Sequence, residues 1–382
     1  MNPLVQLAEC GQSYWLDNLT RGKIEGGELR RRVEEEGLRG VTSNPAIFNK
    51  AITGSDDYDA QIKDLGRKGL EVHAIYEAIV IKDIQGACDI LRTVYDESDG
   101  VDGFVSLEVS PHLAHDTEGT MKEARHLFES VNRPNVLIKI PGTPAGVPAI
   151  EQMLYEGVNV NVTLLFSVTA YEVVARTYIK AMERRAVEGK SLEGLASVAS
   201  FFLSRIDVLV DRLLEQRMEA GKTGEAEPSS RDLLGKSAIA NAKLAYQSFK
   251  QTFSGEGWTA LLDKGARVQR LLWASTSTKS PRYRDVYYVE PLIGPNTVNT
   301  MPDETIAAFA DHGVVVKDTI EQDVEASRKA LEGLKRVGID PELVEKQLLN
   351  EGVQKFIDPF EELITNLDEK RARFTRGATV GT

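Results

Sequence analysis

The sequence predicts an α/β protein built as one (β/α)8 TIM barrel with additional helices, and three observations lead there. Short strand-like runs alternate with longer helical patterns through most of the 382 residues, the signature of βα units around a parallel sheet. Eight such runs can be counted, a number that favours a closed barrel over an open sheet. Several of them carry branched aliphatics on one alternating face and polar side chains on the other, so that the polar faces share a lumen. The length would also allow two ordinary domains, but the unbroken alternation favours a single domain over 1–382.

The expected strands are 13–19, 40–44, 103–110, 136–140, 158–166, 196–203, 268–276 and 297–301. Apolar spacings of three and four between them predict helices over 70–94, 121–131 and 171–186. Strands 2 and 6 are each followed by enough chain for more than one helix. Within the second of these stretches, 219–232 is the most polar and turn-rich segment and is expected to form a flexible surface loop. After the eighth strand comes a short helix over 303–311. A C-terminal helical extension follows from about 321, as helices over 321–337 and 341–370, the latter with Pro341 in its first turn. The basic, small-residue tail 371–382 is expected to fray.

With 42% apolar and 27% charged residues, the chain reads as an ordinary soluble globular protein. Its net charge of −12 argues against nucleic-acid or anionic-membrane partners, so a bound phosphate needs a local cationic cluster. Cys10 and Cys88 have no metal-ligand spacing and are too few for a disulfide framework, which points to a reducing compartment. His112 and His115 lack a third ligand at a plausible spacing and read as a solvated loop. Residues 1–19 show no basic start followed by an apolar stretch, and no run is long enough to span a membrane, so a cytoplasmic setting is expected. Gly189-Lys190-Ser191, Gly221-Lys222-Thr223 and Gly235-Lys236-Ser237 imitate the end of a phosphate loop. Arg184, Gln216 and Ser230 stand where its first glycine would be needed.

The chemistry centres on Lys139, set in the apolar run Val136-Leu137-Ile138-Lys139-Ile140-Pro141-Gly142. Burial starves an ammonium of hydration and favours the neutral amine, which can attack a carbonyl and form a Schiff base. A lysine whose stem lies along apolar surface with its head in water is the plainer alternative. Alternation adds company on the inward faces: Ser106 and Glu108 on the third strand, Lys139 on the fourth, Asn161 and Thr163 on the fifth. Val105, Leu107 and Val109, and likewise Val158, Val160, Val162 and Leu164, are expected to face outward. Asp17 and Asn44, at the ends of the first and second strands, join the ring, although either could be a helix cap or turn former. Buried polar groups at the carboxyl ends of adjacent barrel strands fit an active site better than a stability role.

Four segments carry a family resemblance: Gly40-Val41-Thr42-Ser43-Asn44-Pro45-Ala46-Ile47, the Lys139 run through Thr143, Asn161-Val162-Thr163-Leu164-Leu165-Phe166-Ser167, and Ser200 with Arg205. On these the chain resembles the transaldolases, class I aldolase-type barrels with a Schiff-base lysine on the fourth strand. The resemblance implies transfer of a dihydroxyacetone unit from a ketose phosphate (sedoheptulose 7-phosphate or fructose 6-phosphate) to an aldose phosphate (glyceraldehyde 3-phosphate or erythrose 4-phosphate). It also implies a place in the non-oxidative pentose phosphate pathway and no need for a metal or organic cofactor. Lys139 would attack C2, Glu108 would activate a water held with Thr163, and Asp17 would move the proton of the C4 hydroxyl. Asn44, Asn161 and Ser200 would hold the enamine hydroxyls. Arg205 matches the family's phosphate-contacting arginine, and Ser275 follows strand seven, where barrel phosphate sites often form. Many members carry a second arginine shortly after that serine. None occurs here until Arg282, which leaves Lys279 as the expected substitute.

Two rivals remain open: an aldolase of the same mechanism that releases free dihydroxyacetone, and a catalytically silent sugar-phosphate-binding barrel. Pattern alone leaves both monomer and homodimer open.

Overall fold

The computed structural model describes residues 2–220 and 229–376, and shows a closed barrel of eight strands in sequential order. The strands are β1 (Gln12–Leu16), β2 (Gly40–Thr42), β3 (Phe104–Glu108), β4 (Val136–Pro141), β5 (Val160–Leu165), β6 (Ser197–Phe202), β7 (Arg270–Ala274) and β8 (Thr297–Met301). All neighbours run parallel, and β8 closes on β1. Each expected strand is present, most of them shorter at their ends than the apolar runs.

Three helices, Pro45–Thr53, Asp59–Arg67 and Val72–Glu97, follow β2. Ser204–Glu219, Ser237–Thr252 and Glu256–Leu262 follow β6, so both stretches hold the expected extra helices. After β7 the repeat breaks, because only a short 3-10 turn, Glu290–Leu292, precedes β8. Segment 219–232 is described only at its ends, where Ser229 and Asp232 cap a 3-10 turn over Ser230–Leu233. The expectation that 371–382 frays needs correction. The last helix runs Pro341–Arg376, and Arg371 donates to the carbonyl of Leu70 at 3.0 Å, while 377–382 lie outside the described residues.

Outward aliphatics such as Val105, Ile138, Ile140 and Val162 are fully buried in the hydrophobic core. The alternation fails at one place. Between Val162 and Leu165 the β5–β6 register shifts, and Leu164 takes a left-handed φ of 62°. Leu164 therefore packs on Gly352 of the last helix instead of continuing the outward row with Val162.

The amino-terminal floor of the barrel is closed by charge. Arg270 reaches Asp102 at 2.9 Å and the carbonyl of Thr297 at 2.8 Å, and Ser13 donates to Asp102 at 2.7 Å. Trp15 fills the space above, which explains Gly40: a Cβ there would sit 2.5 Å from the indole. Over the opposite, carboxyl-terminal end lies the helix Pro341–Arg376, tied down by Asn366 to Asn49 (3.3 Å) and Lys370 to the carbonyl of Ser55 (2.9 Å). Among the described residues no helix is long and apolar enough to cross a membrane.

Candidate active site

Register brings the inward polar residues together at the carboxyl-terminal mouth. Glu108 on β3 is opposite Lys139 on β4, and Lys139 is opposite Asn161 on β5. Lys139 is 5% exposed, yet its aliphatic sequence neighbours Ile138 and Ile140 face away from it. Its amine donates to the carbonyl of Ser43 at 3.1 Å and lies 3.6 Å from Glu108 Oε2. Polar groups thus surround the nitrogen inside the lumen, a setting that the oily run Val136–Pro141 does not reveal.

Glu108 is 7% exposed, and neither of its oxygens has a hydrogen-bond partner. Burial pushes its carboxyl above the ordinary glutamate range, and the nearby Lys139 and Arg205 pull it back. Asp17 extends β1 by one residue, its backbone N–H donating to the carbonyl of Met301 at 2.8 Å. Thr42 donates to its carboxylate at 2.7 Å. Desolvation again raises the Asp17 carboxyl, opposed by Thr42, Lys139 and Arg205.

Thr163 is fully buried with its hydroxyl unpartnered, in the wall of a cavity of about 190 Å³ that Lys139, Asp17 and Asn44 also line. Asn44 caps the helix Pro45–Thr53 by accepting from the N–H of Ile47 at 3.0 Å. The cap role and the place at the cavity therefore coexist. Asn161 lies deeper, its amide donating to Ser106 at 3.0 Å and accepting from Ser200 at 2.6 Å. Ser200 reaches the cavity wall, whereas Asn161 supports it from beneath.

On the far side of the cavity, Arg205 comes from the first turn of the helix after β6, with its Nη1 buried and unpartnered. Its guanidinium lies 5.1 Å from the ring of Phe202 and 5.7 Å from that of Phe356. Ser275 has a φ of 55° directly after β7 and shares a 2.8 Å hydrogen bond with Ser204. Lys279 bonds to the Ser277 hydroxyl, and both line the same cavity.

Native interiors pair nearly all buried polar atoms, so the uncommitted Thr163 hydroxyl and Arg205 Nη1, in the wall of the cavity that Lys139 shares, mark a candidate site for a polar ligand, while Glu108, 3.6 Å from the amine, lines a separate cavity of about 160 Å³ with Tyr76 and Phe360. A wider groove of about 1290 Å³ opens outside the barrel, beside the helices Ser237–Thr252 and Val324–Arg336. Its Lys243 and Arg284 are already engaged by the Gln322 carbonyl and by Glu290, both at 2.7 Å. The smaller cavity is therefore the stronger candidate site. Among the described residues no group of three or more His, Cys, Asp or Glu side chains is arranged to hold a metal.

Sequence reasoning overlooked Thr42, Thr300, Glu304, Phe202 and Phe356, all of which line the cavity. Thr42 could have been found, since it precedes Asn44 by two residues at the end of β2. Phe356 had no local signal, because it arrives from the last helix.

A model of the family described as transaldolase/fructose-6-phosphate aldolase matches residues 14–367. Among curated proteins, the chain is 51% identical over 372 residues to "Transaldolase 2" of Nostoc punctiforme, covering 97% of each chain. It is 49% identical over 376 residues to "Transaldolase" of Trichodesmium erythraeum, covering 98% of this chain and 99% of that one. "Transaldolase" of Thermobifida fusca is 44% identical over 374 residues, with 98% of this chain and all of the relative covered.

Proposed function

The chain belongs to the transaldolase/fructose-6-phosphate aldolase family and is a transferase of transaldolase type, and we propose that Lys139 is the amine through which it works. The observation that carries this reading is the Lys139 amine at a barrel mouth, 3.6 Å from a buried Glu108 whose oxygens are otherwise unpartnered.

The donor is a ketose phosphate. Lys139 adds to its C2 carbonyl, and Glu108, with Thr163, moves the proton that lets water leave as the imine forms. The protonated imine then draws the electrons of the C3–C4 bond as Asp17 takes the C4 hydroxyl proton, and the first aldose departs. The three-carbon enamine stays bound until an acceptor aldose phosphate arrives. A new C3–C4 bond forms, Asp17 returns its proton, and water activated by Glu108 hydrolyses the product imine. The two carboxyls sit in different surroundings, which suits them to separate proton transfers. Asn44 and Ser200 orient the hydroxyl groups, with Asn161 holding Ser200. Arg205, Ser275 and Lys279 take the phosphate, the guanidinium offering its planar fork of donors. A cytoplasmic setting and a role in the non-oxidative pentose phosphate pathway belong to the same proposal, supported by the family and by two free cysteines, Cys10 and Cys88.

The reading is tested by mixing the protein with fructose 6-phosphate and erythrose 4-phosphate and following sedoheptulose 7-phosphate. Wild type should form it, and Lys139→Ala should lose at least three orders of magnitude in rate. Retention of wild-type transfer by Lys139→Ala would reject the assignment.

A further inference from the structure

The helix Pro341–Arg376 carries Phe356 into the mouth, where its ring centre lies 5.6 Å from the Lys139 amine and 5.7 Å from the Arg205 guanidinium. Phe356 is 5% exposed and lines the same cavity as Lys139 and Arg205. Several features hold it there. One turn earlier, a Cβ on Gly352 would meet Leu164 at 3.0 Å and the Phe166 ring at 3.5 Å, so the missing side chain lets the helix settle on the end of β5. The left-handed φ of 62° at Leu164 presents that side chain to the helix. Beyond Phe356, Lys370 and Asn366 fasten the helix to the segment after β2.

We propose that Phe356 is a specificity-determining residue that keeps the reaction a transfer, by shutting bulk solvent away from C3 of the three-carbon unit held on Lys139. The proposal rests on the Schiff-base reading of Lys139. After C3–C4 cleavage the bound enamine is nucleophilic at C3 and has two fates. It can attack the carbonyl carbon of an acceptor aldehyde, forming a carbon–carbon bond. Alternatively, C3 takes a proton from solvent, water adds to C2 of the resulting imine, the C2–N bond breaks, and dihydroxyacetone leaves while Lys139 recovers its amine. Both routes spend one water at C2 to hydrolyse the final imine, so the second route differs in needing a solvent proton at C3. An aromatic ring over the amine, on a helix clamped at both sides of it, removes bulk solvent from C3, while Glu108 and Thr163 hold the single water used at C2 and the remainder of the cavity admits an aldehyde.

The test measures two rates for each full-length protein: dihydroxyacetone release from fructose 6-phosphate alone, and transfer to erythrose 4-phosphate. Their ratio does not depend on how much of a sample is folded. Phe356→Ala should raise the ratio of release to transfer at least tenfold, and Phe356→Leu, which restores apolar bulk, should bring it back to within about threefold of wild type. An unchanged ratio in Phe356→Ala, or the same rise in both variants, would overturn the proposal. Lys139→Ala run in parallel separates the two readings: if it keeps either activity, the Schiff-base assignment fails before Phe356 is in question.

Discussion

A lysine and a glutamate 3.6 Å apart, both nearly inaccessible, usually count as a buried ion pair whose desolvation cost offsets much of its attraction. Here the carboxylate is left otherwise unpartnered, an arrangement that serves proton transfer better than stability. Glu108→Gln keeps the shape and removes the base. It should slow imine formation, and with it the turnover number, by roughly 10²–10⁴-fold, with KM for fructose 6-phosphate moving by less than about threefold. The split is measured by steady-state kinetics. Because burial raises the Glu108 carboxyl, its ionised form is reached only at a pH above the ordinary glutamate range. The wild-type rate should therefore show an acid-limb ionisation above that range that is lost in Glu108→Gln, while the raised Asp17 carboxyl keeps its own.

At the level of elements, the helix Ser204–Glu219, which carries Arg205, is tied both to the helix Ser237–Thr252 and to the long connection after β7. Asp207 accepts from the N–H of Ala238 at 2.8 Å and bonds to the Tyr288 hydroxyl at 3.0 Å. Asp211 accepts from Tyr283 at 2.6 Å. Burial pushes Asp207 up to about 7, with the charge of Asp211 adding to the rise. The folded protein holds this proton after the unfolded chain has released it, so the group's contribution to stability is full below about pH 4 and declines as pH climbs towards 7. The limiting slope is about 1.4 kcal/mol per pH unit. Denaturant unfolding at pH 5 and pH 8 should show Asp207→Asn losing less stability across that interval than wild type, and an identical loss in both would remove Asp207 as the cause. None of these ties could be read from pattern. The β7–β8 connection contains neither a strand nor a full helix, and its tyrosines find their partners only through the packed barrel. The strands themselves were legible, because alternation is local and its period survives in Phe104–Glu108 and Val136–Pro141. It failed at Leu164, where one bulge residue reverses the face that a period of two assigns.

For the molecule as a whole, the two ends of the barrel do different work. Arg270, Asp102 and Ser13 close the floor with an ion pair and direct hydrogen bonds, while towards the mouth Glu108, Thr163 and Arg205 keep polar atoms uncommitted. The mouth ring was legible because its members alternate with aliphatics along their strands or directly follow them. The floor was not, since Asp102 precedes β3 and meets Arg270 only when β7 and β8 close on β1. The roof was equally hidden, depending on a helix that returns from the far end of the chain. The molecule carries a net charge of −12, so an anionic substrate depends on local positive charge, which Arg205 and Lys279 bring to the mouth beside Lys139. The whole arrangement converges on one covalent event at one nitrogen. Borohydride reduction in the presence of fructose 6-phosphate without acceptor, followed by peptide mass mapping, tests it most directly. The account predicts a reduced three-carbon adduct on Lys139 and none in Lys139→Ala; an adduct on another lysine, or no adduct in a protein that still transfers, would contradict it.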